Sequence, residues 1–315
     1  MQTALFQHFF DSNLRKPFYR HFFTNYICFY NPTDRTKKSI GLFYFSGCAY
    51  FKAQPFNIYM KKESEDQNEK MYDLNSVKEV AGCLLYTDVH KVENYPFLVK
   101  HPFTDSAFAT IVKNPDKVTE NEVINILESE SNLNRWREYV AKQIDSAESA
   151  NEIYCRITKP YRLTFMKYAG RYLSEKDFAE MLWSAWITSE NPNSDANVSQ
   201  SELLRMFRSA DKSLLMTAEE RKRLDELDNP VTVYRGVTPY NAKSVKAMSW
   251  TLDYEKALWF AKRFDSDGTV YTAEIEKSHI LALFDGRDES EIVVEPAYLL
   301  NIEEYEEENI GFLLT

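Results

Sequence analysis

Glycine is scarce in this chain, at 8 of 315 residues. No glycine-rich loop that could cradle a phosphate is visible, and the dinucleotide fingerprint of a doubly wound sheet is missing as well. Cysteine is scarcer still. Cys28, Cys48, Cys83 and Cys155 stand singly, with no paired spacing for a disulfide framework or a thiolate metal site, which fits a reducing compartment. The histidines, His8, His21, His90, His101 and His279, show no metal-ligand spacing either, so no metal is expected. No apolar run approaches the roughly 18 residues that span a bilayer. The opening MQTALFQHFFDSNLRK lacks the charged, apolar and small-residue segments of a secretion signal. A soluble cytoplasmic protein without a membrane role is expected, in the producing cell or in a host cell reached by a signal-independent route. Excess positive charge is absent too: the formal net charge is -10, which weighs against a whole-protein binder of nucleic acid or membrane.

What the chain does have is apolar and aromatic material, 44% and 15% of its residues. That composition supports packed structure, and the length suits about two domains, with a boundary placed near residue 150. Up to about residue 112 the apolar runs NYICFY, SIGLFYFSGCAYF, FNIYM and VAGCLLYTDV read as strands, with KKESEDQNEK as a polar loop between them. A basic aromatic stretch (Arg15, Lys16, Arg20, His21, Arg35, Lys37, Lys38) could track phosphates while its rings stack on bases. The overall acidity favours a solvated face instead. Helices are expected where Thr119 and Glu122 form a capping box, after Ser174, across SELLRMFRSA, and across TAEERKRLDEL with its Thr217 and Glu220 box. VTVYRGV then reads as a strand. LDYEKALWFAKRF reads as a helix with Ala257, Phe260, Ala261 and Phe264 on one stripe.

Three stretches of the C-terminal half carry chemistry. GRDESEIVVEP sets Glu289 and Glu291 one residue apart before a β-branched run, so strand alternation puts both carboxylates on one face. Glu295 joins that face only if the strand runs on without a bulge. Paired carboxylates in a cleft suit cationic or proton-transferring chemistry, whereas on an exposed edge they merely discourage aggregation. Arg235 in VYRGV offers a rigid fork of donors for an anion, next to Gly236, which has no Cβ to obstruct a ligand. Ser249, Trp250 and Thr251 in SWT lie where a strand turns into a helix, and Trp250 is expected to pack rather than bind.

Singly, these motifs are weak. In order, Arg235, Ser249 to Thr251, and Glu289 with Glu291 resemble the arginine–serine–glutamate class of mono-ADP-ribosyltransferases over roughly residues 190–315. The resemblance implies an α+β chain. Its C-terminal part, 151–315, would be the catalytic domain, with two small sheets forming an NAD cleft behind a helical lead-in. A β-rich and helical N-terminal part, 1–150, would recognise the target or a partner. It implies NAD as co-substrate, bound by Arg235, Gly236, Ser249, Thr251 and Glu291. Glu291 would stabilise the oxocarbenium-like centre formed when nicotinamide leaves the ribose, with Arg235 and Ser249 also in the catalytic set. Glu289 would activate the acceptor, a place at which a glutamate in this family usually accompanies transfer to protein arginine. A toxin or effector is the expected context, with a cognate antitoxin or inhibitor left open as a partner. RNA or DNA as acceptor, simple NAD hydrolysis, and a non-catalytic scaffold are the competing readings.

Overall fold

The computed structural model describes residues 72–113, 121–241, 244–286 and 289–305. The runs NYICFY, SIGLFYFSGCAYF and FNIYM, the basic aromatic stretch and Thr119 lie outside these ranges.

The first described element corrects an expectation. VAGCLLYTDV contributes to a helix, α1 (Leu74–Leu85), rather than to a strand. Val77, Ala81, Leu84 and Leu85 are buried at helical spacing, and Asp73 caps the start by accepting from the Ser76 N–H at 3.1 Å. Reading from Val80 onward cuts off both the cap and the first buried position, leaving a short apolar run that could be either element. Five short strands follow: β1 (His90–Val92), β2 (Tyr95–His101), β3 (Thr104–Ser106), β4 (Phe108–Ile111) and β5 (Glu122–Asn125). β1–β3 form one antiparallel sheet and β4–β5 another. β5 is a second correction. Glu122 caps no helix there. It sits in a strand and pairs with Arg135 at 2.7 Å and Lys113 at 3.0 Å. The helix begins later, as α2 (Glu130–Asp145), where Ser129 accepts from the Asn132 N–H.

The helical middle continues through α3 (Ala150–Tyr154), α4 (Arg162–Ala169), α5 (Glu175–Thr188), α6 (Gln200–Ser209), α7 (Lys212–Leu215) and α8 (Ala218–Glu226). α5 follows its pattern closely: Ser174 caps it, and Phe178, Met181, Leu182 and Ala185 are buried. Full burial of each larger side chain contributes about 1.5–3 kcal/mol. The Thr217–Glu220 capping box at α8 is formed, and α6 carries a further box from Ser199 and Glu202.

The C-terminal strands are β6 (Val231–Val237), β7 (Ser249–Thr251), β8 (Thr269–Ile275), β9 (Ile280–Phe284), β10 (Glu291–Val294) and β11 (Leu300–Glu304), with α9 (Tyr254–Ala261) after β7. They form a single antiparallel sheet in the order β11-β8-β6-β7-β10-β9, not two separate sheets. Its centre is thin. β6 and β7 share one residue pair, Tyr234 with Thr251, whereas β6 pairs with β8 along its whole length. Two three-stranded halves are therefore joined through a single residue pair.

One buried cluster runs from Val77 through Trp136, Phe165, Leu182 and Phe207 to Ile292 and Leu299. Ala150 and Ile153, on either side of the expected boundary, both belong to it. A smaller cluster on the opposite face of the sheet joins Ala257 and Ala261 of α9 to Val270. Phe260 is half-buried, and the Phe264 side chain is outside the description. No helix among the described residues is long and apolar enough to cross a membrane.

His101 makes the core sensitive to acid. It is 1% exposed, its Nε2 donates to the Leu85 carbonyl at 3.2 Å, and its Nδ1 accepts from the Phe103 N–H at 3.1 Å. Those two contacts require the neutral ring, and burial pulls its pKa down to about 4. Between that value and the unfolded one near 6.5, the unfolded chain binds the extra proton. Its contribution to stability is therefore complete above about pH 6.5 and lost as pH falls toward 4, by about 3 kcal/mol. Urea unfolding across that window should show this loss in the wild type, and a clearly smaller one in His101→Gln.

Candidate active site

Strand alternation explains how Ser249 and Glu291 meet. In β6, Val231, Val233 and Val237 are buried on the face that also carries Arg235, so a guanidinium occupies a place in an otherwise valine-lined row. Across the sheet, Glu291 pairs with Thr251 and Val293 with Ser249. Ser249 is thus the diagonal neighbour of Glu291 on the same face, within reach of a long side chain.

The resulting contacts form a connected chain. Ser249 Oγ donates to Glu291 Oε1 at 2.6 Å, and the Ser249 carbonyl accepts from Arg235 Nη1. Trp186 Nε1, from α5, donates to the same Glu291 oxygen at 3.0 Å. Arg235 thus links β6 to β7 beside their single residue pair. Its Nε is buried and makes no hydrogen bond, a donor left for something else to satisfy. Burial lowers its pKa to about 10, opposed by the negative charge of Glu291, so it remains a cation at neutral pH.

The two glutamates come together by a different route from the expected one. β10 begins only at Glu291, and Ser290 has φ 45°, so the extended alternation that would align Glu289 does not exist. Both nevertheless line one small open depression with Ile187, Phe284 and Gly286. The loop end is held by Thr251 Oγ1, which donates to the Glu289 carbonyl at 2.7 Å, and by the Leu252 N–H, which donates to the Ser290 carbonyl at 3.1 Å. Arg223 of α8 adds a clamp, bonding Asp285 and, at 3.1 Å, the Ser290 hydroxyl.

Two of the expected site residues also have structural roles of their own. The Thr251 side chain is 6% exposed; its hydroxyl donates to Glu289 and accepts from the Asp253 N–H, so it shapes the loop instead of meeting a ligand. Gly236 lacks a Cβ for packing reasons: a Cβ there would lie 2.1 Å from the Ala257 carbonyl oxygen and 2.5 Å from the Ala261 nitrogen. Glu295 does not join the site, because the register shifts after Val293 and the carboxylate forms a two-pronged pair with Arg208 at 2.8 and 2.7 Å. Trp250 is 2% exposed and bonds the Ala247 carbonyl, a packed residue.

Chemically, the arrangement offers a carboxylate oriented by two donors, a second carboxylate on the same depression, and a partly buried guanidinium with a spare donor. Such a set can stabilise a developing cation beside an anion. Among the described residues, no group of His, Cys, Asp and Glu could hold a metal ion. No known protein family, curated protein or solved structure matches the chain.

Proposed function

We propose that the chain is an NAD-dependent mono-ADP-ribosyltransferase acting on an intracellular macromolecule, with protein arginine as the favoured acceptor. The observation that carries this reading is the hydrogen-bonded chain from Arg235 through Ser249 to Glu291 across the thinly paired centre of the sheet. The orphaned Nε of Arg235 and the backbone edges left unpaired where β6 and β7 part give polar groups of a dinucleotide something to meet. The small depression beside Glu291 suits a single ring or guanidinium; the rest of NAD would lie along the open strand edges.

The bond from ribose C1′ to the nicotinamide nitrogen breaks, and its electron pair leaves with neutral nicotinamide. Glu291 faces the developing oxocarbenium charge, oriented by Ser249 and Trp186. The acceptor nucleophile then bonds to C1′, and its proton passes to Glu289. Arginine is favoured because Glu289 and Glu291 border one depression, where a guanidinium meets two carboxylates.

Labelled NAD added with the protein to a cell lysate, then divided between protease and nuclease, tests the acceptor. Label that is lost with protease and survives nuclease supports the proposal; the reverse moves the acceptor to RNA or DNA. Nicotinamide release without any labelled macromolecule makes the protein a NAD glycohydrolase.

A further inference from the structure

We infer that Trp186 is a positioning residue for Glu291, its indole N–H holding the carboxylate through the same oxygen that Ser249 engages. The inference rests on the transferase reading above and adds to it a residue outside the three motifs.

The geometry is specific. Trp186 lies near the end of α5, is 1% exposed, and its ring meets Phe207 of α6 edge-on, with centroids 5.0 Å apart at 88°. Phe207 in turn packs against Phe284 of β9, on the strand next to β10. The indole nitrogen is therefore fixed by helix and sheet before any substrate arrives. An indole N–H can only donate, and when buried it needs an acceptor. Trp250 shows the purely structural solution, a backbone carbonyl at 2.9 Å. Trp186 instead spends its donor on the carboxylate proposed to do the chemistry, at 3.0 Å, opposite a serine at 2.6 Å. Two donors from different elements, one on a helix and one on a strand, fix the rotation of a carboxyl group that either alone would leave swinging.

Two measurements test this. In the first, Trp186→Phe keeps the ring packing on Phe207 but removes the donor; kcat for NAD cleavage should fall roughly tenfold or more, with KM changed by less than about twofold. In the second, the indole 15N–1H resonance of Trp186 is followed in the otherwise intact protein. Glu291→Gln should move it upfield as the acceptor loses its charge, while the Trp136 resonance stays in place. This second readout needs no Trp186 variant and no activity. An indole resonance unmoved by Glu291→Gln overturns the inference. So does a wild type that cleaves NAD beside a folded Trp186→Phe of unchanged kcat, or of raised KM alone. A wild type that cleaves no NAD overturns the transferase reading instead.

Discussion

Glu291→Gln is expected to lower the rate of NAD cleavage by roughly a thousandfold while the thermal midpoint stays at the wild-type value. The two expectations have different sources. Glutamine matches glutamate in shape and keeps one carbonyl oxygen, so Ser249 Oγ and Trp186 Nε1 both retain an acceptor at the position they now bond. The two hydrogen-bond donors keep their partner, and the strand pairs of β10 with β7 and β9 are untouched. Only the negative charge goes. A developing positive charge on the ribose then lacks the one group placed to answer it, and charge stabilisation in a partly desolvated site is among the largest contributions to catalysis. Initial rates of the two proteins and parallel melting curves check both halves.

Gly236→Ala should be the most damaging of the conservative changes to the sheet, costing about 3 kcal/mol. The new methyl would meet the Ala257 carbonyl oxygen at 2.1 Å, the Ala261 nitrogen at 2.5 Å and Phe260 Cβ at 2.9 Å. Two of these are backbone atoms of α9 and cannot rotate away, so the helix must lift off β6. Lifting it opens the small cluster of Ala257, Ala261 and Val270 and disturbs Arg235 next in the strand. Denaturant titration should show the loss of stability, and the NAD cleavage rate should fall with it. A stability within about 0.5 kcal/mol of the wild type would mean that α9 packs less closely than described.

Much of this was legible from residue order. α5, α6, α8 and β6 follow from caps and periodicity, because Ser174, Thr217 and the spaced apolar residues act within a turn or two of one another. The site motifs are short and local for a similar reason: Arg235 and Gly236 lie within β6, Ser249 to Thr251 make up β7, and Glu291 opens β10. What was hidden depends on distant partners. Trp186 lies 105 residues from Glu291, and no local signal at α5 marks its indole as a donor to that carboxylate. The destination of Glu295 turns on Arg208, 87 residues earlier, and on a register shift that alternation does not encode. Glu289 and Glu291 border one depression, but not through strand alternation, since the positive φ of Ser290 replaces the extended backbone that alternation assumes. Gly236 likewise carries a packing constraint set by a helix that follows it by some 20 residues. At α1 the failure was one of window: the cap at Asp73 and the burial of Val77 precede the stretch that reads as a strand.

The measurement that tests the central claim most directly is the amount of nicotinamide released from NAD by the purified protein, followed chromatographically with and without added lysate and beside Ser249→Ala. Release that grows with time in the wild type and drops by an order of magnitude or more without the serine hydroxyl is the predicted result. No release under either condition, or release at the same rate without that hydroxyl, would contradict the assignment of the Arg235–Ser249–Glu291 chain as an NAD-cleaving site.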